Sequence, residues 1–257
     1  MDTALDGRTA VVPGSSGGLG LAVARALAAE GANVVMAARR GDVVRAEAEE
    51  LGSAIGVELD LDDAAAPRTL VEQAEKHFGA VDIVVVNSGG PPPGTAVDVT
   101  EDELAAAVHR LLQQHQRLVA AVLPGMRERG WGRVIAIGSS GVQQPIENLA
   151  LSNIGRAGLA AYLKSLAAQV AEDGVTVNMV LPGRIATDRV ASLDRAAGER
   201  AGITAEEARA RSVAAIPAGR YGTPEEFAAV VAFLASPAAS YVTGEQIRCD
   251  GGMIRSY

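Results

Sequence analysis

Residues 9–20 read Thr9-Ala10-Val11-Val12-Pro13-Gly14-Ser15-Ser16-Gly17-Gly18-Leu19-Gly20, and the fold turns on this stretch. A short β-branched run passes into a glycine-rich turn, and residues 18–30 then follow an alanine- and leucine-rich helical pattern. Gly14, Gly18 and Gly20 let the backbone N–H groups at a helix start approach a pyrophosphate. Ser15, Ser16 and Leu19 complete this candidate dinucleotide loop.

The same alternation continues outward. Strands are predicted at 9–12, 33–37, 55–59, 81–86, 133–137, 176–181 and 246–248, with helices at 18–30, 43–51, 64–78, 101–129, 148–172 and 224–235. Runs such as Ile83-Val84-Val85-Val86 are apolar without alternation, which marks strands covered on both faces. The expectation is an α/β, doubly wound (Rossmann) parallel sheet of about seven strands with helices on both faces. No linker, charge block or repeat divides residues 1–257, so a single domain is expected. Residues 187–211, rich in Arg, Glu and Ala, read as an insertion. It is either a lid over a site or a solvated helical hairpin.

Composition narrows the partners. Apolar residues make up 48% of the 257, enough for a sizeable core, and aromatics only 3%. A formal charge of −8 without a Lys/Arg cluster argues against nucleic acid. Cys249 has no partner for an internal disulfide, and His77, His109 and His115 are too few and too scattered for a metal site. There is no basic-then-apolar leader at the N-terminus and no apolar run of membrane-spanning length. A cytoplasmic protein acting on a small molecule is the simplest expectation.

The second strand ends in Ala37-Ala38-Arg39-Arg40. An acidic residue here would bond a ribose 2′-hydroxyl, whereas a guanidinium matches a 2′-phosphate. NADP(H) is thus favoured over NAD(H); the other reading is that both arginines only solvate a helix entrance.

Taken with its strand–turn–helix setting, the Gly-x-x-x-Gly-x-Gly loop resembles that of the short-chain dehydrogenase/reductase family. The family's loop usually begins with Thr, where this chain has Pro13, which lacks a hydroxyl and an N–H. The resemblance extends along nearly the whole chain. It implies an adenine contact for Asp60 with Leu61, and a cofactor-lining role for Asn87, Gly89 and Gly90 within Asn87-Ser88-Gly89-Gly90. It likewise implies a nicotinamide-embracing segment in Pro182, Gly183, Ile185 and Thr187. Thr243-Gly244-Glu245 and Asp250-Gly251-Gly252 look like the family's C-terminal signature. Subunit contacts through the long helices would follow, giving a homo-oligomer (dimer or tetramer).

The family's catalytic pattern is where the chain departs. A Ser after the fifth strand, a Tyr thirteen residues later, a Lys four beyond it and an Asn in the preceding helix make up that pattern. Here Ser139 fits the first role, but the count lands on Ser152 and then Arg156, and Leu111 stands at the Asn position. Ser139, Ser152 and Arg156 are the candidate catalytic residues, with Arg156 also facing the cofactor. A serine is a far poorer acid than a phenol, and arginine resists deprotonation, so Arg156 can stabilise an oxyanion without donating a proton. His115, one turn beyond Leu111, is either a proton source or an ordinary helix-surface or interface residue. Tyr162 and Lys164 lie too late for the pattern and are expected to pack or form subunit contacts.

Pro91-Pro92-Pro93-Gly94 adds to a likeness with β-ketoacyl-carrier-protein reductases. The resemblance implies an oxidoreductase working on a carbonyl/hydroxyl pair. The altered residues leave two other readings open: a non-redox isomerase or dehydratase, and a weakly active cofactor-binding partner subunit.

Overall fold

A computed structural model, described over residues 3–256, places seven strands in one parallel sheet. They are β1 (Thr9–Pro13), β2 (Asn33–Ala38), β3 (Ala54–Glu58), β4 (Ile83–Val86), β5 (Gly132–Ile137), β6 (Val175–Pro182) and β7 (Gln246–Cys249). The order is β3-β2-β1-β4-β5-β6-β7. Chain order reverses between β1 and β4, which opens a crevice at the carboxyl ends of the central strands.

Alternate residues of each strand feed different cores, which explains the unbroken apolar runs. Ala10 and Val12 pack with Val23 and Leu27 of α1 (Gly18–Ala29), Val44 of α2 (Gly41–Leu51) and Phe227 of a later helix, Pro224–Ala235. Val11 faces the other way, toward Leu70 of α3 (Ala66–Phe78) and the helices that follow β4. Both faces of the sheet are therefore dry.

The predicted helix at 101–129 is not continuous. It runs as α4 (Glu101–Val108), a π-turn at His109–Gln113, and α5 (Gln114–Glu128). A π-turn admits an extra residue and re-aims the side chains around it. Here Leu111, Gln114 and His115 all turn inward. Gln114 Nε2 then donates to the carbonyls of Leu61 and Asp63 at 2.7 and 2.6 Å, and Arg110 pairs with Asp62, tying the turn to the loop after β3.

Next along the chain comes α6 (Ala150–Val170), close to the predicted span. Residues 187–211 form two antiparallel helices, α7 (Asp188–Ala201) and α8 (Ala205–Ala214), joined at Gly202 with φ +64°. Asp188, Arg189, Val190 and Leu193 of α7 line the crevice. Pro224–Ala235 is α9. Among the described residues, no helix is long and apolar enough to cross a membrane.

Candidate functional site

A cleft of about 820 Å³ opens at the carboxyl ends of the central strands. Its first wall is the loop after β1. Gly14 and Gly18 have φ of +65° and +57°, a region that disfavours side chains. A Cβ on Gly20 would stand 2.3 Å from the Gly14 carbonyl oxygen and 2.9 Å from Asn87 Nδ2, so only glycine fits there. Gly17 caps α1 without a side-chain bond, whereas Thr100, Thr204 and Thr223 close α4, α8 and α9 with capping boxes. The first amides of α1 thus keep their hydrogen-bonding capacity, at the end of the helix that favours negative charge.

The missing donor at Pro13 is compensated from two sides. Asn87 Nδ2 donates to the carbonyls of Pro13 and Gly14 at 3.0 and 3.3 Å. Ser15 N donates to the Ala37 carbonyl at 3.2 Å, and its hydroxyl accepts from Ala37 N at 3.1 Å. Ser15 is fully buried and braces β2, so it is placed behind the cleft wall rather than on it.

Of the two arginines after β2, Arg40 lines the cleft and Arg39 does not. Consecutive side chains of an extended segment point apart, and only one of the pair can face the loop. Arg40 Nη2 donates to the Ser16 carbonyl at 2.7 Å and to its hydroxyl at 3.1 Å. Asp60 and Leu61 also lie outside the lining. The Asp60 carboxylate accepts from Asp62 N at 3.0 Å, and the Leu61 carbonyl receives Gln114. The remaining expected residues meet in the one cleft: Gly14, Ser16, Gly18, Leu19, Gly20, Asn87, Gly89, Gly90, Pro182, Gly183, Ile185 and Thr187, with Ser139, Ser152 and Arg156.

At the far end, Ser139 follows β5 and its hydroxyl accepts from Gly141 N at 3.0 Å. Ser152 and Arg156 lie one turn apart on α6, both buried. Arg156 Nη1 donates to the Ile137 carbonyl at 2.6 Å. Burial, and then the charge of Arg189, lowers its pKa to about 10, so it stays cationic at neutral pH. Arg189 in turn donates to the Pro91 carbonyl at 2.8 Å, which ties the first turn of α7 to the proline run.

Leu111 is fully buried and packs on α6, where a Cβ on Gly155 would come within 2.7 Å of it. His115 is neither a helix-surface nor an exposed interface residue: it is 3% exposed, because the π-turn rotates it toward the core. Burial first, and the Arg156 charge second, depress its pKa to about 3. Backbone groups of Leu111 and Asn87 oppose the shift, yet neither ring nitrogen reaches a partner at hydrogen-bond geometry. His115 does not line the cleft, and a neutral imidazole is a poor proton donor at pH 7. Tyr162 is half-buried against the core and Lys164 Nζ donates to the Gly244 carbonyl at 2.7 Å, both away from the cleft.

Several lining residues escaped the sequence reading, among them Arg189, Ile146, Met253 and Ile254. Arg189 had one available signal: Thr187 caps α7, which commits the first turn of that helix to the cleft rim. Asn153 holds the loop bearing Ile146 by donating to its carbonyl and accepting from its N–H, at 2.9 and 3.2 Å.

A doubly wound sheet with a glycine-lined cleft at its switch point defines a protein built to hold a nucleotide-like ligand beside reactive polar groups. The protein-family model described as enoyl-(acyl carrier protein) reductase matches residues 14–254. The chain is 38% identical over 251 residues to the 3-oxoacyl-acyl-carrier-protein reductase FabG of Escherichia coli K12, covering 96% of this chain and 98% of that protein. It is 34% identical over 274 residues to a cyclohexanol dehydrogenase of Rhodococcus, covering 98% of each. Among solved structures, YwfH, an NADPH-dependent reductase of bacilysin biosynthesis, superposes with a TM-score of 0.93 at 29% identity, over 97% of this chain and 99% of that one. The L-sorbose reductase of Gluconobacter frateurii, complexed with NADPH and L-sorbose, gives 0.94 at 30% identity over the whole of both chains. The chain belongs to the short-chain dehydrogenase/reductase family.

Proposed function

We propose that this chain is an NADP(H)-dependent oxidoreductase interconverting a carbonyl and a hydroxyl on a small-molecule or acyl substrate, with Ser139, Ser152 and Arg156 in place of the family's Ser, Tyr and Lys. The observation that carries the reading is the convergence of these three side chains with the glycine loop in one cleft. The residues present suit the cofactor. Gly20 lets α1 pack directly against the Gly14 carbonyl of the loop, the first turn of α1 is uncapped, and Arg40 sits where a 2′-phosphate would need a cation. When bound, NADPH supplies a hydride to the carbonyl carbon.

The chain's own groups handle the oxygen. Ser139 and Ser152 hydroxyls donate to the carbonyl oxygen and orient it. Arg156 stabilises the negative charge that develops there, in a setting where burial strengthens the interaction. Neither serine is acidic enough to give up its proton for good, so water entering the open cleft delivers it. Lacking a positioned acid costs roughly 10²–10⁴-fold in rate, which predicts a slow reductase.

Titrating the protein with NADPH and NADH, then assaying a panel of ketones and alcohols, tests this reading. NADPH binding with slow, steady oxidation against a ketone supports it, and Ser152→Tyr should raise that rate by roughly 10²-fold or more. Turnover without a change at the nicotinamide absorbance band points to a non-redox enzyme. Tight NADPH binding with no turnover, and co-purification with a homologue, points to a partner subunit. If neither cofactor binds at millimolar concentration, the enzymatic reading fails.

A further inference from the structure

We propose that Arg156 and Arg189 form an anion subsite at the reacting end of the cleft, and that the substrate is an oxo acid whose carboxylate lies beside the reacting carbonyl. This deepens the reading above and rests on it.

Arg156 is a buried cation with one hydrogen bond, to the Ile137 carbonyl, and among the described residues no carboxylate lies within ion-pair distance. Other guanidiniums of this chain are provided for. Arg8, Arg110, Arg184 and Arg220 pair with Asp82, Asp62, Asp194 and Glu226. Arg133, also buried, stacks on Trp131 at 4.3 Å and donates to the carbonyls of Gly132 and Gly174. Arg156 has no carboxylate and no aromatic ring against it, only the Ile137 carbonyl. Arg189 lines the same cleft from its exposed rim, held by the Pro91 carbonyl, and its charge opposes that of Arg156. Glu147 and Asp188 also line the cleft, but neither forms an ion pair with either arginine.

A buried cation without a counter-charge is unfavourable unless an anion completes the set. The guanidinium fork matches a carboxylate in two parallel hydrogen bonds. Position separates this anion from the cofactor's phosphates. Arg156 is fixed to the end of β5, which is two strands from β1 and its glycine loop, a lateral separation of about 10 Å. It is also fixed close to Ser139 and one turn from Ser152, where the substrate carbonyl would lie.

The test is a ligand-observed NMR titration of NADPH-saturated protein with 2-oxobutanoate and with its methyl ester. The acid should bind at least about tenfold more tightly than the ester, the change expected of one charge-assisted hydrogen bond. Arg156→Met should abolish that preference, Arg156→Lys should restore part of it, and Arg189→Ala should weaken it. Unliganded Arg156→Met should also melt at a higher temperature than wild type, because an unpaired buried charge has been removed; a structural arginine would give a lower one. Equal binding of acid and ester, or a preference that survives Arg156→Met, overturns the subsite. So does displacement of 2-oxobutanoate from cofactor-free protein by inorganic pyrophosphate, which would assign the arginines to the cofactor's phosphates. Failure of NADPH to bind sinks the oxidoreductase reading instead, and the acid–ester comparison on cofactor-free protein then judges the anion subsite alone.

Discussion

His115 is buried near Arg156, and burial, with the guanidinium's charge added, holds the imidazole neutral with a pKa of about 3. In the unfolded chain that imidazole would titrate near 6.5. The folded state therefore binds fewer protons between these values, and stability falls as pH drops below about 6.5 toward 3. The contribution lost by pH 5 is about 2 kcal/mol. His115→Leu should flatten this acid limb while leaving the slope above pH 7 unchanged. Urea denaturation of both proteins at pH 5, 6 and 7 measures it; parallel pH profiles would refute the neutral, buried histidine.

Arg40 and the glycine loop make a second prediction. Arg40 leans on Ser16 and has no carboxylate partner within ion-pair distance among the described residues, so its charge is available to a phosphate. Arg40→Ala should weaken NADPH binding by roughly 10- to 100-fold and leave NADH nearly unchanged. Fluorescence titration with both nucleotides decides, and equal losses for the two would reject the assignment to the 2′-phosphate.

Gly20 allows no substitution. A Cβ there meets backbone and Asn87 at once, so Gly20→Ala should cost about 1–3 kcal/mol of stability through overpacking. It should also displace the first turn of α1 and with it nucleotide binding. Gly52→Ala is the control: that glycine has open space, so its cost should come from its φ of +71° alone and leave nucleotide affinity intact. A Gly20→Ala protein that binds NADPH like wild type would contradict the cradle.

Asp194 anchors the α7–α8 hairpin. Its buried carboxylate accepts from the Tyr221 hydroxyl at 3.1 and 3.0 Å and lies 3.4 Å from the Arg184 guanidinium. Removing it leaves a tyrosine hydroxyl and a half-buried cation without their acceptor, so Asp194→Ala should cost about 3 kcal/mol. Because Arg189 and Leu193 on the same helix line the cleft, KM should rise more than kcat falls. Chemical denaturation together with steady-state kinetics checks both parts; a change below about 0.5 kcal/mol would mean the hairpin is held by something else.

The sheet was legible in the primary structure because its strands are dry on both faces. Ile83-Val84-Val85-Val86 has no polar residue to offer solvent, and β4 occupies those residues. The glycine loop was legible for a similar reason: Gly14, Gly18 and Gly20 each mark a backbone position whose geometry excludes a side chain. The helix break at 109–113 was not, since a π-turn needs no Pro or Gly and so leaves no marker residue. That break decides whether His115 faces solvent or Arg156.

The candidate site divides in the same manner. Local spacing along α6 places Ser152 and Arg156 on one face, as residues one helical turn apart must be. Sequence alone also bounded the choice at the end of β2 to Arg39 or Arg40. Which arginine turns toward the loop, that Ser15 braces β2 from behind, and that Arg189 comes from α7 to stand near Arg156 are relations between segments far apart in the chain. Periodicity and composition act over a few residues and encode burial. Charge pairing, and its absence at Arg156, depends on which distant elements the fold packs side by side, so only the tertiary structure decided it.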